Sequence, residues 1–249
     1  MNPAAPDAQT FGRIDVHSHL LPGVDDGCPT LEESLACARV LVQAGYTHCF
    51  CTPHIWPNLP HNTVSGIAER TSRLQDALDE SKVPLRLLPG GELNLREDLA
   101  EFPAGELPTY AMAGRYCLFD LWAERLPAFF WKAVEGLQSR GLQVILAHPE
   151  RMRAVQLAPQ LADDFARAGL LLQGNLQCLA DPLTSDTRRV GERYLKEGRY
   201  FMLGSDTHNT GGLPVRMKGL GHAIDMVGEA ETWRLTRDNP SLLMPDARG

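Results

Sequence analysis

Histidines and carboxylates gather at a handful of places in this 249-residue chain, and each place follows an apolar run. Asp15-Val16-His17-Ser18-His19 comes first, then Thr52-Pro53-His54, Glu92, Asp120, Ala147-His148-Pro149-Glu150 and Ser205-Asp206-Thr207-His208. Mixed imidazole and carboxylate donors without thiolate suit Zn, Mn or Fe better than a purely hard ion, and do not select among the three. A His-x-His pair leaving a strand sends both rings to one side, because strand side chains alternate with period two. Asp206 and His208 repeat that spacing near the other end of the chain. Taken singly, His54 or His148 reads as a hydrogen-bonded surface histidine. Taken together, His17, His19, His54, His148 and His208 are five of eight histidines in the same setting, and burying so many titratable groups without a cation is costly. The pattern predicts a multinuclear metal site. His48, His61 and His222 lack such company and receive no role.

The elements that must carry these residues alternate along the chain. Strands are predicted at Arg13 to Val16, Tyr46 to Thr52, Pro84 to Leu88, Tyr116 to Leu121, Gln143 to Ala147, Leu170 to Gly174 and Tyr200 to Leu203. Thr30 and Glu33 form a capping box opening a helix closed by Gly45, and further helical patterns run over about 65–81, 128–140, 157–167 and 186–196. Gly141, Gly169 and Gly198 stand where a helix hands over to the next strand. Runs such as Val144-Ile145-Leu146 are apolar on both faces, as buried parallel strands are. The expected fold is a closed or nearly closed β/α barrel, a single domain over 1–249 with flexible ends at 1–12 and 245–249. Every candidate ligand then falls at the C-terminal rim of the strands, where such barrels build their sites.

Composition narrows the partners. A net charge of −7 offers no basic field for nucleic acid or an anionic membrane. No apolar run approaches the length of a bilayer span. The six cysteines show neither a disulfide framework nor a Cys-x-x-Cys pair, which suits free thiols and a cytoplasmic location.

These motifs, with Pro22-Gly23-Val24-Asp25-Asp26-Gly27 and Gly90-Gly91-Glu92, resemble the polymerase and histidinol phosphatase (PHP) superfamily, from about Ile14 to Arg216. Within it the chain is similar to the bacterial metal-dependent protein-tyrosine phosphatases of capsular and exopolysaccharide systems. The resemblance implies a distorted (β/α)7 barrel with two to three divalent metals at the rim, Mn foremost and Fe or Zn as alternatives. It implies one metal held by His17, His19, Glu92 and Asp206, a second bridged by Glu92 and held by Asp120 and His148, and a third held by Asp26, His54 and His208. It also places Arg151 and Arg216 as catalytic, phosphate-binding arginines. Asp120 departs from the usual Glu of the family. Trp56, in the loop past His54, is a candidate to stack on the substrate ring.

The activity so implied is hydrolysis of a phosphomonoester, foremost phosphotyrosine on a bacterial tyrosine kinase, by metal-activated hydroxide. No Cys-x5-Arg loop offers a thiolate route. The donor that protonates the leaving oxygen is left open among a ligand, a water and Glu150. The competing readings are a histidinol-phosphatase-like small-molecule enzyme, an amidohydrolase-type hydrolase, for which a lysine near Asp120 is missing, and a binding module that has lost turnover.

Overall fold

The computed structural model of the chain describes residues 11–245, so most of the ends expected to be flexible lie outside the described residues. At the edge of the described part, the backbone N–H of Gly12 donates to Thr47 Oγ1 at 3.0 Å and ties the chain down.

Nine strands are present among the described residues: β1 (Arg13–Asp15), β2 (Tyr46–Cys51), β3 (His54–Ile55), β4 (Arg86–Pro89), β5 (Glu92–Asn94), β6 (Tyr116–Asp120), β7 (Gln143–Ala147), β8 (Leu171–Asn175) and β9 (Met202–Gly204). All their pairings are parallel. Seven expected strands become nine because two are interrupted. Between β2 and β3 stands Pro53, which has no N–H to give a ladder, and between β4 and β5 stand Gly90 and Gly91. The interruptions split the sheet into two ladders, β1-β2-β4 and β3-β5-β6-β7-β8-β9. The far edges meet where a bridge pairs Ser18 with Thr207, and the N–H of His19 donates to Thr207 O at 2.8 Å. The sheet therefore curls into the distorted β/α barrel that the sequence predicts.

Alternation along the strands separates two apolar layers. Ile14, Phe50, Leu88, Leu118, Ile145 and Met202 form an inner cluster, completed by Tyr110 and Leu243 from outside the strands. Their neighbours Cys49, Cys51, Cys117, Phe119, Val144 and Leu146 pack outward with the helices. Glu92 pairs with Leu118 across the ladder, and Asp120 lies two residues beyond Leu118. Period two thus carries the inner face straight from core to rim.

The main α-helices among the described residues are α1 (Leu31–Gln43), α2 (Val64–Glu80), α3 (Phe130–Gln138), α4 (Arg153–Leu157), α5 (Leu161–Arg167), α6 (Leu176–Ala180), α7 (Asp186–Lys196) and α8 (Leu213–Trp233). The helix expected over 157–167 begins only at Leu161, as α5, and an unforeseen short α4 ends at Leu157 before Pro159. Only half of the expected capping box forms. Thr30 Oγ1 accepts the N–H of Glu33 at 3.3 Å, but the Glu33 carboxylate reaches the Thr210 N–H at 2.7 Å and hydroxyl at 2.8 Å, fastening α1 to the loop after His208.

Helix α8 was not foreseen. Gly219, Gly221 and Gly228 interrupt its apolar spacing, and the chain leaves helical angles at Gly228, where φ is +82°. One of these glycines is also what seats the helix. A Cβ on Gly219 would come within 1.8 Å of the Leu176 carbonyl oxygen, so α8 lies directly on the backbone of α6. Gly219→Ala is expected to destabilise the fold by roughly 1–3 kcal/mol through overpacking, read by chemical denaturation. An unchanged midpoint would show that the two helices separate freely.

Candidate metal centre

The backbone turns in an unusual way at two of the strand ends that carry candidate donors. His148 (φ +32°) and Asp206 (φ +54°) are both left-handed, a conformation that costs a non-glycine residue and that surrounding contacts must hold. For His148 the hold is its N–H on Gln173 O at 2.7 Å, and for Asp206 its N–H on His17 O at 2.7 Å. Behind them, Gly204 leaves room for His17, since a Cβ there would stand 2.8 Å from the His17 Cβ.

At the centre, the Nε2 atoms of His17 and His19 lie 3.3 Å apart. From His17 Nε2 it is 3.3 Å to Glu92 Oε2 and 3.4 Å to Asp206 Oδ1, and from His19 Nε2 it is 3.5 and 3.3 Å to the same two atoms. Donors around a four-coordinate cation with bonds of about 2.0–2.2 Å stand roughly 3.3–3.6 Å apart, so the spacing is that of a coordination shell. Glu92 extends the cluster both ways: Oε1 lies 3.0 Å from His148 Nε2, and Oε2 lies 2.9 Å from His54 Nδ1. His54, Glu92 and Asp120 form a second group of donors that can share a cation, and His19, Asp26, His54 and His208 a third. The third is the most open. Asp26 Oδ1 stands 3.4 Å from both His54 Nε2 and His208 Nε2, and its side chain is 58% exposed.

The electrostatics calls for positive charge. His17, His19, Glu92 and Asp120 are fully buried, and Asp206 nearly so. Burial alone would lower the His17 imidazole, yet Glu92 and Asp206 overcome it and raise His17 to about 9. Burial, then the charge of Glu92, pushes Asp120 up to about 6. Within the cluster, His54 Nδ1, Glu92 Oε2 and Asp120 Oδ2 are buried without a well-formed hydrogen bond, although the first two stand only 2.9 Å apart. Buried polar atoms left this way are expensive, and divalent cations satisfy all three at once.

Residues that motif reading passed over orient the donors. Asp25 Oδ2 is 2.7 Å from His19 Nδ1 and accepts the His54 N–H at 2.9 Å, while Oδ1 accepts the Gly27 N–H at 3.0 Å. Burial would raise the Asp25 carboxyl, but its bond to His19 outweighs that and holds it at about 2. Gln173 Oε1 takes His17 Nδ1 at 2.8 Å, and Asn175 Nδ2 donates to Asp206 Oδ2 at 2.7 Å. A ring whose far nitrogen is so fixed presents the near one as a ligand. The available signal was position alone: Asp25 precedes Asp26, and Gln173 and Asn175 end a strand.

The two arginines part company. Arg151 Nη1 donates to Asp206 Oδ2 at 2.9 Å, with a third of its side chain open to the rim. Arg216, expected to face a phosphate, is turned away. It is buried, its Nε donates to Ser205 O at 2.7 Å, and its Nη2 to Asp206 O at 2.6 Å. Its Nη1 lies against Gly212. It lies on the first turn of α8, and its guanidinium clamps the left-handed Asp206 through that residue's carbonyl. Glu150 is likewise removed as a proton donor to the leaving group. It is fully buried, one oxygen accepting the Asn175 N–H at 2.7 Å and the other the Tyr200 hydroxyl at 2.9 Å. Trp56 stacks on His54 at 3.9 Å and 23°, so one face of its indole is already taken.

A parallel β/α barrel with a buried histidine and carboxylate cluster at its C-terminal rim defines a metal-dependent hydrolase of the PHP type. Residues 13–245 match the CpsB/CapC family of capsular polysaccharide synthesis, and the chain belongs to that family. It is 26% identical over 196 residues to the tyrosine-protein phosphatase YwqE of Bacillus subtilis, covering 79% of this chain and 77% of the relative. To the tyrosine-protein phosphatase CpsB of Streptococcus pneumoniae it is 25% identical over 248 residues, covering 94% and 98%. A solved structure from work on YwqE and CpsB, described as unique metal-dependent tyrosine phosphatases, superimposes with a TM-score of 0.83 at 26% identity, covering 92% of this chain and 94% of that one.

If Asp25 and Gln173 orient ligands, Asp25→Ala and Gln173→Ala should each weaken metal retention roughly 10- to 100-fold, measured by elemental analysis after dialysis against graded chelator. Arg216→Lys, which loses the fork on Ser205 and Asp206, should also shed metal. Retention equal to wild type in all three would reduce these contacts to packing.

Proposed function

We propose that this protein is a metal-dependent phosphomonoesterase acting on phosphotyrosine in proteins, foremost a bacterial tyrosine kinase linked to polysaccharide synthesis, in the cytoplasm. The observation that carries the reading is the set of orphaned buried donors about Glu92, which fit divalent cations and little else. The tyrosine phosphatases among the relatives supply the substrate class. Among the described residues no helix is long and apolar enough to cross a membrane.

We assign two to three cations, manganese first and iron or zinc as alternatives. His17, His19, Glu92 and Asp206 hold one, Glu92, Asp120 and His148 a second, and Asp26, His54 and His208 a third. His54 stands near enough to Glu92 to serve the second as well. Bound there, the cations supply activation of water near neutral pH and neutralisation of phosphoryl charge. The chain's own residues do the rest. Glu92 and Asp206 keep the histidine nitrogens aimed inward. Arg151, braced on Asp206, offers its remaining donors to phosphoryl oxygens at the open side. The buried floor excludes bulk water. Thiols take no part, since all six cysteines are buried.

The test is hydrolysis of phosphotyrosine peptides against histidinol phosphate. Turnover of the peptides should vanish on exhaustive chelation and return with Mn. His17→Ala, His19→Ala and Asp206→Ala should be inactive. Arg151→Lys should keep its metal and lose roughly 10- to 1000-fold in kcat/KM, which is about 1.4–4 kcal/mol of transition-state stabilisation. Activity that survives chelation, or a preference for histidinol phosphate, would contradict the assignment.

A further inference from the structure

Trp122 is the most exposed large aromatic among the described residues, at 60%, and it stands two residues past Asp120 on the loop that leaves β6. Its indole lies 6.3 Å from the His148 ring, centre to centre, so it overlooks the donor cluster directly. The Arg151 guanidinium sits 5.0 Å from the indole centre while its Nη1 holds Asp206. The rim therefore presents a row from the cluster outward: carboxylate, guanidinium, indole. A tryptophan left in water forgoes burial that a core position would give it, and among the described residues Arg151 and His148 flank the indole while most of it stays open.

From that row, and resting on the phosphatase reading above, we infer that Trp122 is the specificity-determining platform for the aryl group of the substrate. A phosphate drawn to the cluster and to Arg151 leaves its ester group pointing out along the row. An aromatic ester group then lies against the indole, whereas a short alkyl group passes it with little contact. Ring contacts of this kind favour offset or edge-on arrangements and add to the area they bury. The guanidinium beside the indole serves both parts of one ligand, pairing with phosphate and bordering its ring. Trp56, the residue expected for this role, already spends one face on His54 and acts instead to hold that ring.

The test uses the full-length, Mn-loaded protein with calorimetric titration of two non-hydrolysable probes, benzylphosphonate and propylphosphonate. Wild type should prefer the benzyl compound. In Trp122→Ala the ratio of the two affinities should fall roughly 2- to 13-fold, and Trp122→Phe should restore most of it, as a stacking contact of this size predicts. Equal weakening of both probes in Trp122→Ala would show that the indole only shelves Arg151 and would overturn the inference, as would no weakening of either. Turnover of phosphotyrosine peptide is followed in parallel. An active enzyme with an unchanged ratio removes Trp122 alone, whereas wild type that turns over no phosphomonoester removes the phosphatase reading and this inference with it.

Discussion

The Glu92 carboxylate, fully buried and within 3.5 Å of His17, His19, His54 and His148, is the interaction on which the site depends. An ionised carboxyl in such a place costs several kcal/mol unless positive charge compensates it. Protons on the surrounding imidazoles do so in part, which is why His17 is raised and Glu92 is held well below the ordinary carboxylate range despite its burial. Divalent cations do it better, because they satisfy the nitrogens and the carboxylate oxygens together.

That constraint reaches back into the fold. The donors meet only if strands of one polarity end on a common rim, and only if the barrel closes there through Ser18 and Thr207. The two breaks in the sheet, at Pro53 and at Gly90 and Gly91, put β3 and β5 side by side so that His54 and Glu92 are ladder partners. The strained backbone of His148 and Asp206 is stabilised from outside the site, by Gln173 and by Arg216 on the first turn of α8. Helix α8 in turn keeps its place through Gly219 on α6. Packing remote from any donor thereby sets the position of one.

What could be read from the chain follows from how local each signal is. Strand ends with histidines announce themselves, because apolar runs and short motifs are contiguous, and so the barrel and the gathering of the candidate donors at its rim were legible. Helix α8 was not, since its glycines, of which Gly219 is needed for close packing on α6, erase the spacing by which a helix is recognised. Asp25 was hidden by likeness to Asp26: adjacent carboxylates look alike in sequence, and only the fold shows one turned inward to His19 and the other out to His208. For Arg216, distance along the chain says nothing of direction. Eight residues past His208 it is near the site, yet its helix aims the guanidinium at carbonyls beneath. Trp122 passed unremarked as a platform, for an exposed indole is defined by what surrounds it.

The measurement that bears most directly on this account is anomalous diffraction from crystals of the protein grown with Mn. The account predicts at least two manganese peaks within the donor cluster, with the Glu92 carboxylate bridging two of them and His17, His19 and Asp206 around one. Crystals diffracting well from Mn-saturated, active protein with no ion touching Glu92 would contradict it.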